Sequence, residues 1–125
     1  MGRTINVDKN IYNALRAVRF TELQLFGTDK PTMLLHDEED LFEYVDGKAT
    51  EKVIGYKAKV LVAEAGMEPI IVKMENVKPV LTKEQIQERG GLVKVRFKSL
   101  TAKTYFSDRE KEYKLSYRAE GLEVL

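Results

Sequence analysis

The stretch Thr82-Lys83-Glu84-Gln85-Ile86-Gln87-Glu88-Arg89-Gly90-Gly91 decides the fold. Thr82 and Gln85 have the spacing of a capping box, in which a threonine hydroxyl and a glutamine three residues on satisfy each other's backbone N–H groups. The pair Gly90-Gly91 then stops the chain. These signals predict a short helix over Lys83–Arg89. Everything around it reads as strand. On the C-terminal side, Val93, Val95 and Phe97 share one face, with Lys94, Arg96 and Lys98 opposite. On the N-terminal side, Tyr56, Ala58, Val60 and Val62 alternate with Lys57, Lys59 and Leu61, and Ile70, Val72 and Met74 alternate with Ile71, Lys73 and Glu75. A period of two places one face in a core and the other in water.

Further out, Asp46-Gly47 separates Leu41–Val45 from Lys52–Ala63 and signals a hairpin. The β-branched, aromatic and apolar run Ala17–Phe26, interrupted at Gly27 and resumed at Thr32–Leu35, predicts a bent first strand. Ser107-Asp108-Arg109-Glu110 is a polar turn, and Tyr113, Leu115 and Tyr117 oppose Lys114, Ser116 and Arg118 in a last strand. Strand, strand, strand, helix, strand, strand is the connectivity of the OB-fold: an all-β, five-stranded Greek-key barrel with its helix between strands three and four. An open antiparallel sandwich and an SH3-like barrel compete, and they account less well for the helix. The domain is expected over residues 17–125, after an N-terminal extension of residues 1–16. In that extension Asp8 can cap a helix carrying Ile11 and Leu15, an extended tail being equally open. Its apolar residues Ile5, Val7, Ile11, Tyr12 and Leu15 predict packing on the barrel or self-association with a neighbouring copy.

Composition narrows the chemistry. The 125 residues fit one domain. With no cysteine and a single histidine, His36, thiolate nucleophiles, disulfides and multi-His metal clusters are excluded. No nucleophile, base and oxyanion donor assemble along the chain, so neither enzyme activity nor a cofactor is expected. The longest uninterrupted aliphatic run, Val60–Ala63, is far too short for a membrane span, which predicts a cytoplasmic protein. A net charge of +1 conceals segregation. Six carboxylates and no base lie between Asp37 and Asp46, whereas Lys52–Arg118 holds fifteen Lys or Arg against eight Asp or Glu, a balance of +7. That pattern points to a polyanionic partner. The run Asp37–Asp40 lacks the alternating spacing of a calcium loop, so a solvated acidic loop or a patch docked on basic neighbours is expected instead of a metal site.

The segments Asp46-Gly47, Gly55-Tyr56-Lys57-Ala58, Ile71-Val72-Lys73-Met74, Val93-Lys94-Val95-Arg96-Phe97 and Leu115-Ser116-Tyr117-Arg118-Ala119-Glu120 together resemble the small OB-fold single-stranded-DNA-binding proteins of phages, plasmids and conjugative elements of Gram-positive bacteria. The resemblance covers about residues 46–120 and rests on diffuse patterns. It implies sequence-tolerant binding of single strands during replication, recombination or conjugative transfer of a mobile element.

In the expected barrel the outward residues Lys57, Lys59, Lys73, Lys114, Arg118, Lys94, Arg96 and Lys98 form one arc able to follow a phosphate backbone, against only Glu75 and Glu112 at comparable positions. With no tryptophan present, Tyr105 and Phe106 are the stacking candidates, because adjacent residues cannot both face the core. Tyr56, Phe97, Tyr113 and Tyr117 fall on the apolar face and are expected in the core. The alternative from another class is a protein-interaction or assembly module of a phage or conjugation system. RNA or duplex DNA is a weaker third ligand.

Overall fold

The computed structural model describes residues 18–125. Among them one sheet contains eight strands: β1 (Phe20–Thr21), β2 (Met33–Val45), β3 (Lys48–Val62), β4 (Glu68–Glu75), β5 (Val93–Lys98), β6 (Thr101–Ser107), β7 (Glu112–Arg118) and β8 (Gly121–Val124). Their order is β1-β6-β7-β4-β3-β2-β5-β8, so the protein is mostly β. Two short helices accompany the sheet: α1 (Glu22–Phe26) before β2 and α2 (Lys83–Glu88) between β4 and β5. A single 3-10 turn, Ala63–Ala65, joins β3 to β4. The N-terminal extension, residues 1–16, and its expected packing or self-association lie outside the described residues.

The expected helix is present and capped as its spacing demands: the Gln85 N–H donates to Thr82 Oγ1 (3.1 Å), and the Thr82 N–H donates to Gln85 Oε1 (2.9 Å). Its one buried residue, Ile86, is fully enclosed in the core. Burying a side chain of that size stabilises by about 1.5–3 kcal/mol, enough to dock a helix too short to stand alone. The alternating residues of β3, β4 and β5 meet as expected, with Tyr56, Val60, Val62, Val72, Met74, Val95 and Phe97 in a single cluster. Asp46 and Gly47, at φ 52° and 77°, link β2 and β3 through the left-handed geometry of a tight hairpin turn.

Two expectations are corrected. The expected strand Ala17–Phe26 is not one strand over its described residues, 18–26. Only Phe20–Thr21 pairs, with β6, and the chain then enters α1, because Thr21 and Gln24 form a second capping box and Gly27 (φ 77°) ends the helix. The acidic run is not the solvated loop but fits its alternative, a patch docked on basic neighbours, with Asp37 and Glu39 against Lys57, Lys59 and Lys83. Asp37–Asp40 lie within β2, whose thirteen residues pair with β3 through small register shifts near His36 and Phe42.

The connections between strands decide where a site can form. β5 and β6 are consecutive, broken only at Ser99-Leu100, where Ser99 takes a left-handed φ of 54°. β7 and β8 are likewise broken only at Ala119-Glu120. β6 pairs antiparallel with β7, and β5 pairs antiparallel with β8. β4 pairs parallel with β7, but over two positions only: Val72 with Tyr117 and Lys73 with Arg118. Across the second break the Ala119 N–H donates to Lys73 O (3.1 Å) and the Glu120 N–H to Lys98 O (2.9 Å), so the chain passes from the side of β4 to the side of β5 within two residues.

Candidate nucleic-acid interface

Where the pairing of β4 with β7 stops, a cleft of about 1010 Å³ opens. Residues of both sheet faces line it: Ile70, Tyr113, Leu115 and Tyr117 from the apolar side, and Ile71, Lys73, Lys114 and Ser116 from the outer side. The gap therefore runs between the two strands as well as over them. Phe20, Leu25 and Phe26 from β1 and α1 line it too, and Phe26 stacks on Tyr117 with ring centroids 6.5 Å apart. Among the described residues, four lysines (Lys57, Lys73, Lys103 and Lys114) stand around it against one carboxylate, Glu68.

The register places these cations as neighbours. Lys57 is opposite Lys73 across β3–β4, and Lys73 is opposite Arg118 across β4–β7. Their surroundings differ sharply. Lys57 Nζ lies 3.6 Å from Glu39 Oε2, and Arg118 Nη1 lies 2.9 Å from Glu75 Oε1. Lys114 pairs with Glu110 across one turn, and that hydrogen bond raises its pKa. Lys73 has no carboxylate within ion-pairing distance among the described residues. Burial lowers its pKa, and the positive charges of Arg118, Lys57 and Lys103 press it further in the same direction. A half-buried ammonium among other cations is costly on its own and favourable once an anion arrives.

The aromatic candidates divide. Tyr105 points outward beside Lys103, opposite Lys114, and lines the cleft. Phe106 faces the other way and packs against Tyr113, 5.0 Å between centroids. Tyr56 and Phe97 are buried, as parity predicts. Tyr113 and Tyr117 have the expected parity but are only half-buried: β4 no longer pairs with β7 at Tyr113, whereas Tyr117, still opposite Val72, packs at the edge of the core beside Phe26.

The expected single arc is not one row in the sheet order. Lys57, Lys73 and Lys114 meet at the cleft. Lys94, Arg96 and Lys98 project from β5, which pairs with β2 and β8, and none of them lines the cleft. Lys59 is on β3 beside Lys57, held 2.5 Å from Glu39 Oε1 and 3.8 Å from Asp37 Oδ2. The cation that the sequence pattern did not bring forward is Lys103. Its strand carries the small inward residues Ala102 and Thr104, so the only signal was Lys103 and Tyr105 two apart on one face. No helix among the described residues is long and apolar enough to cross a membrane. No protein-family model, curated protein or solved structure matches the chain.

Proposed function

We propose that this chain is a non-catalytic, sequence-tolerant single-stranded-DNA-binding protein whose strand lies in the cleft between β4 and β7. The carrying observation is Lys73: a half-buried cation without a carboxylate partner among the described residues, ringed by Lys57, Lys103 and Arg118, with Tyr105 exposed on the same cleft. A phosphate supplies the missing counter-charge, and the Tyr105 ring offers a face to an unstacked base. Duplex DNA presents its phosphates but hides its base faces, so the aromatic lining favours a single strand.

The finer fold belongs with this proposal. If β5 with β6 is one bent strand and β7 with β8 another, the pairings run β2-β3-β4-β7/β8-β5/β6 and return to β2 through β5. That is the five-stranded circuit of an OB barrel, with α2 between its third and fourth strands. In such a barrel the surface of the second and third strands, here β3 and β4, is the usual side for oligonucleotides. A role in replication, recombination or transfer of a mobile element follows from the family resemblance.

One feature favours the protein-interaction alternative. Beyond Gly55 the β2–β3 hairpin outruns β4 and exposes Phe42, Tyr44, Val45 and Val53, an apolar surface suited to another protein. Anisotropy titrations with oligo-dT, oligo-rU and a duplex at two salt concentrations separate these readings. Strand binding requires the tightest complex with oligo-dT and a steep loss of affinity with salt. No binding to any of the three leaves the protein-interaction role.

A further inference from the structure

Strand binding at the cleft assigns no part to Asp37 and Glu39, although both face a strand that carries two of the candidate cations. In the β2–β3 register Asp37 stands opposite Lys59 and Glu39 opposite Lys57. Glu39 reaches both lysines, Lys59 at 2.5 Å and Lys57 at 3.6 Å, while Asp37 lies 3.8 Å from Lys59 and 3.6 Å from Lys83 at the start of α2. Lys57 and Lys59 thus each have a carboxylate oxygen at the place a phosphate oxygen would take. One strand further on, Lys73 has none among the described residues. The Glu39 carboxyl is held below its ordinary range by the Lys59 hydrogen bond and charge, so it stays ionised and in place at neutral pH. Burial opposes ionisation of Asp37, and the Glu38 N–H with Lys83 and Lys59 outweighs it, with the same result.

We infer that Asp37 and Glu39 are a built-in competitor of the strand, occupying Lys57 and Lys59 and confining phosphate contacts to the cleft side of β4. The inference rests on the single-strand role proposed above. While its charge is met by a carboxylate, a lysine adds little to counterion release from the DNA. Removing the carboxylates frees two contacts, Lys57 at the rim of the cleft and Lys59 beyond it on the same strand.

The test is an oligo-dT titration at several salt concentrations with wild type and the D37N/E39Q variant. Two added contacts steepen the log K versus log salt slope by about 1.4, which widens the ratio of affinities at 50 and 200 mM salt about sevenfold. The D40N/E51Q variant is the control. It removes the same charge from exposed residues of the same hairpin that hold no lysine within ion-pairing distance, and it should keep the wild-type slope. Adding K59A to D37N/E39Q should remove about half of the gain, whereas K59A alone should leave the wild-type slope nearly unchanged. That last comparison stands even if D37N/E39Q fails to fold. A slope lowered by about 0.7 in K59A alone would overturn the inference. So would a D37N/E39Q slope equal to wild type, or equal steepening by D40N/E51Q; in each case strand binding itself survives. If no variant binds oligo-dT at low salt, the single-strand role fails and the inference falls with it.

Discussion

Replacing Lys73 by Met should make the free protein more stable. Methionine keeps the length of the stem that crosses the half-buried part of the cleft and removes the ammonium. Burial is the leading cause of that ammonium's lowered pKa, followed by the charges of Arg118, Lys57 and Lys103. Two of the three are partly cancelled by their own carboxylates, Arg118 by Glu75 and Lys57 by Glu39, so burial carries most of the cost. Because Lys73 still reaches solvent, the gain belongs in the range of surface charge interactions, about 0.5–1 kcal/mol. In a domain of this size that raises the melting temperature by roughly 2–6 °C.

The pH dependence fixes the sign independently. A lysine whose folded pKa lies below its unfolded value of 10.5 binds fewer protons folded than unfolded, so its cost is complete at pH values below the folded pKa. The cost is relieved as pH rises through that value and is gone above about 10.5. The advantage of K73M should therefore be full at pH 7 and vanish in strong base. Its Coulombic part should also shrink in high salt. Thermal melts followed by circular dichroism at pH 7 and above pH 10 measure both. A K73M protein that melts below wild type at pH 7, or whose advantage is the same at both pH values, would refute the account of Lys73 as a cation held at a cost.

Three further outcomes are expected. Gly55→Ala should destabilise by about 2–3 kcal/mol, seen as a fall in melting temperature of more than 8 °C, because a Cβ there would lie 1.9 Å from Met74 O and force β3 and β4 apart. Tyr105→Ala should weaken oligo-dT binding by about 1–3 kcal/mol in a titration while leaving the salt slope unchanged, as expected of a ring stacked on a base. Phe106→Ala should do the reverse: it loses the packing on Tyr113, so the melting temperature falls while the affinity of the folded protein changes little.

Much of the architecture was legible because it rests on local rules. The alternation of Tyr56–Val62 and Val93–Lys98, the Asp46-Gly47 turn and the Thr82…Gln85 box each act within a few residues, and each appears where expected. The misses have physical causes. Thr21 and Gln24 carry the same capping spacing as Thr82 and Gln85, but the apolar run around them hid it, and the helix won over the strand. The acidic residues of β2 suppressed its hydrophobic alternation, and the cross-strand lysines that make a charged strand tolerable are twenty residues away in sequence. The site was half visible. Lys57, Lys73 and Tyr105 were legible from parity, whereas the cleft was not, since it exists only because two strands distant in sequence pair over two residues and then part. That parting leaves Tyr113 outside the core and opens the cleft that Lys73 and Lys103 share.

The central claim is that the cleft cations Lys73 and Lys103, unpaired among the described residues, hold the phosphates of a single strand, and the most direct measurement is the salt dependence of oligo-dT binding by a K73A/K103A variant. Both side chains line the cleft and neither has a carboxylate within ion-pairing distance among the described residues, so their loss removes cations without freeing an acid. The account predicts a variant that folds as wild type by circular dichroism, binds more weakly, and has a slope flatter by about 1.4, two single-strand contacts at about 0.7 each. A folded variant with the affinity and slope of wild type would contradict it.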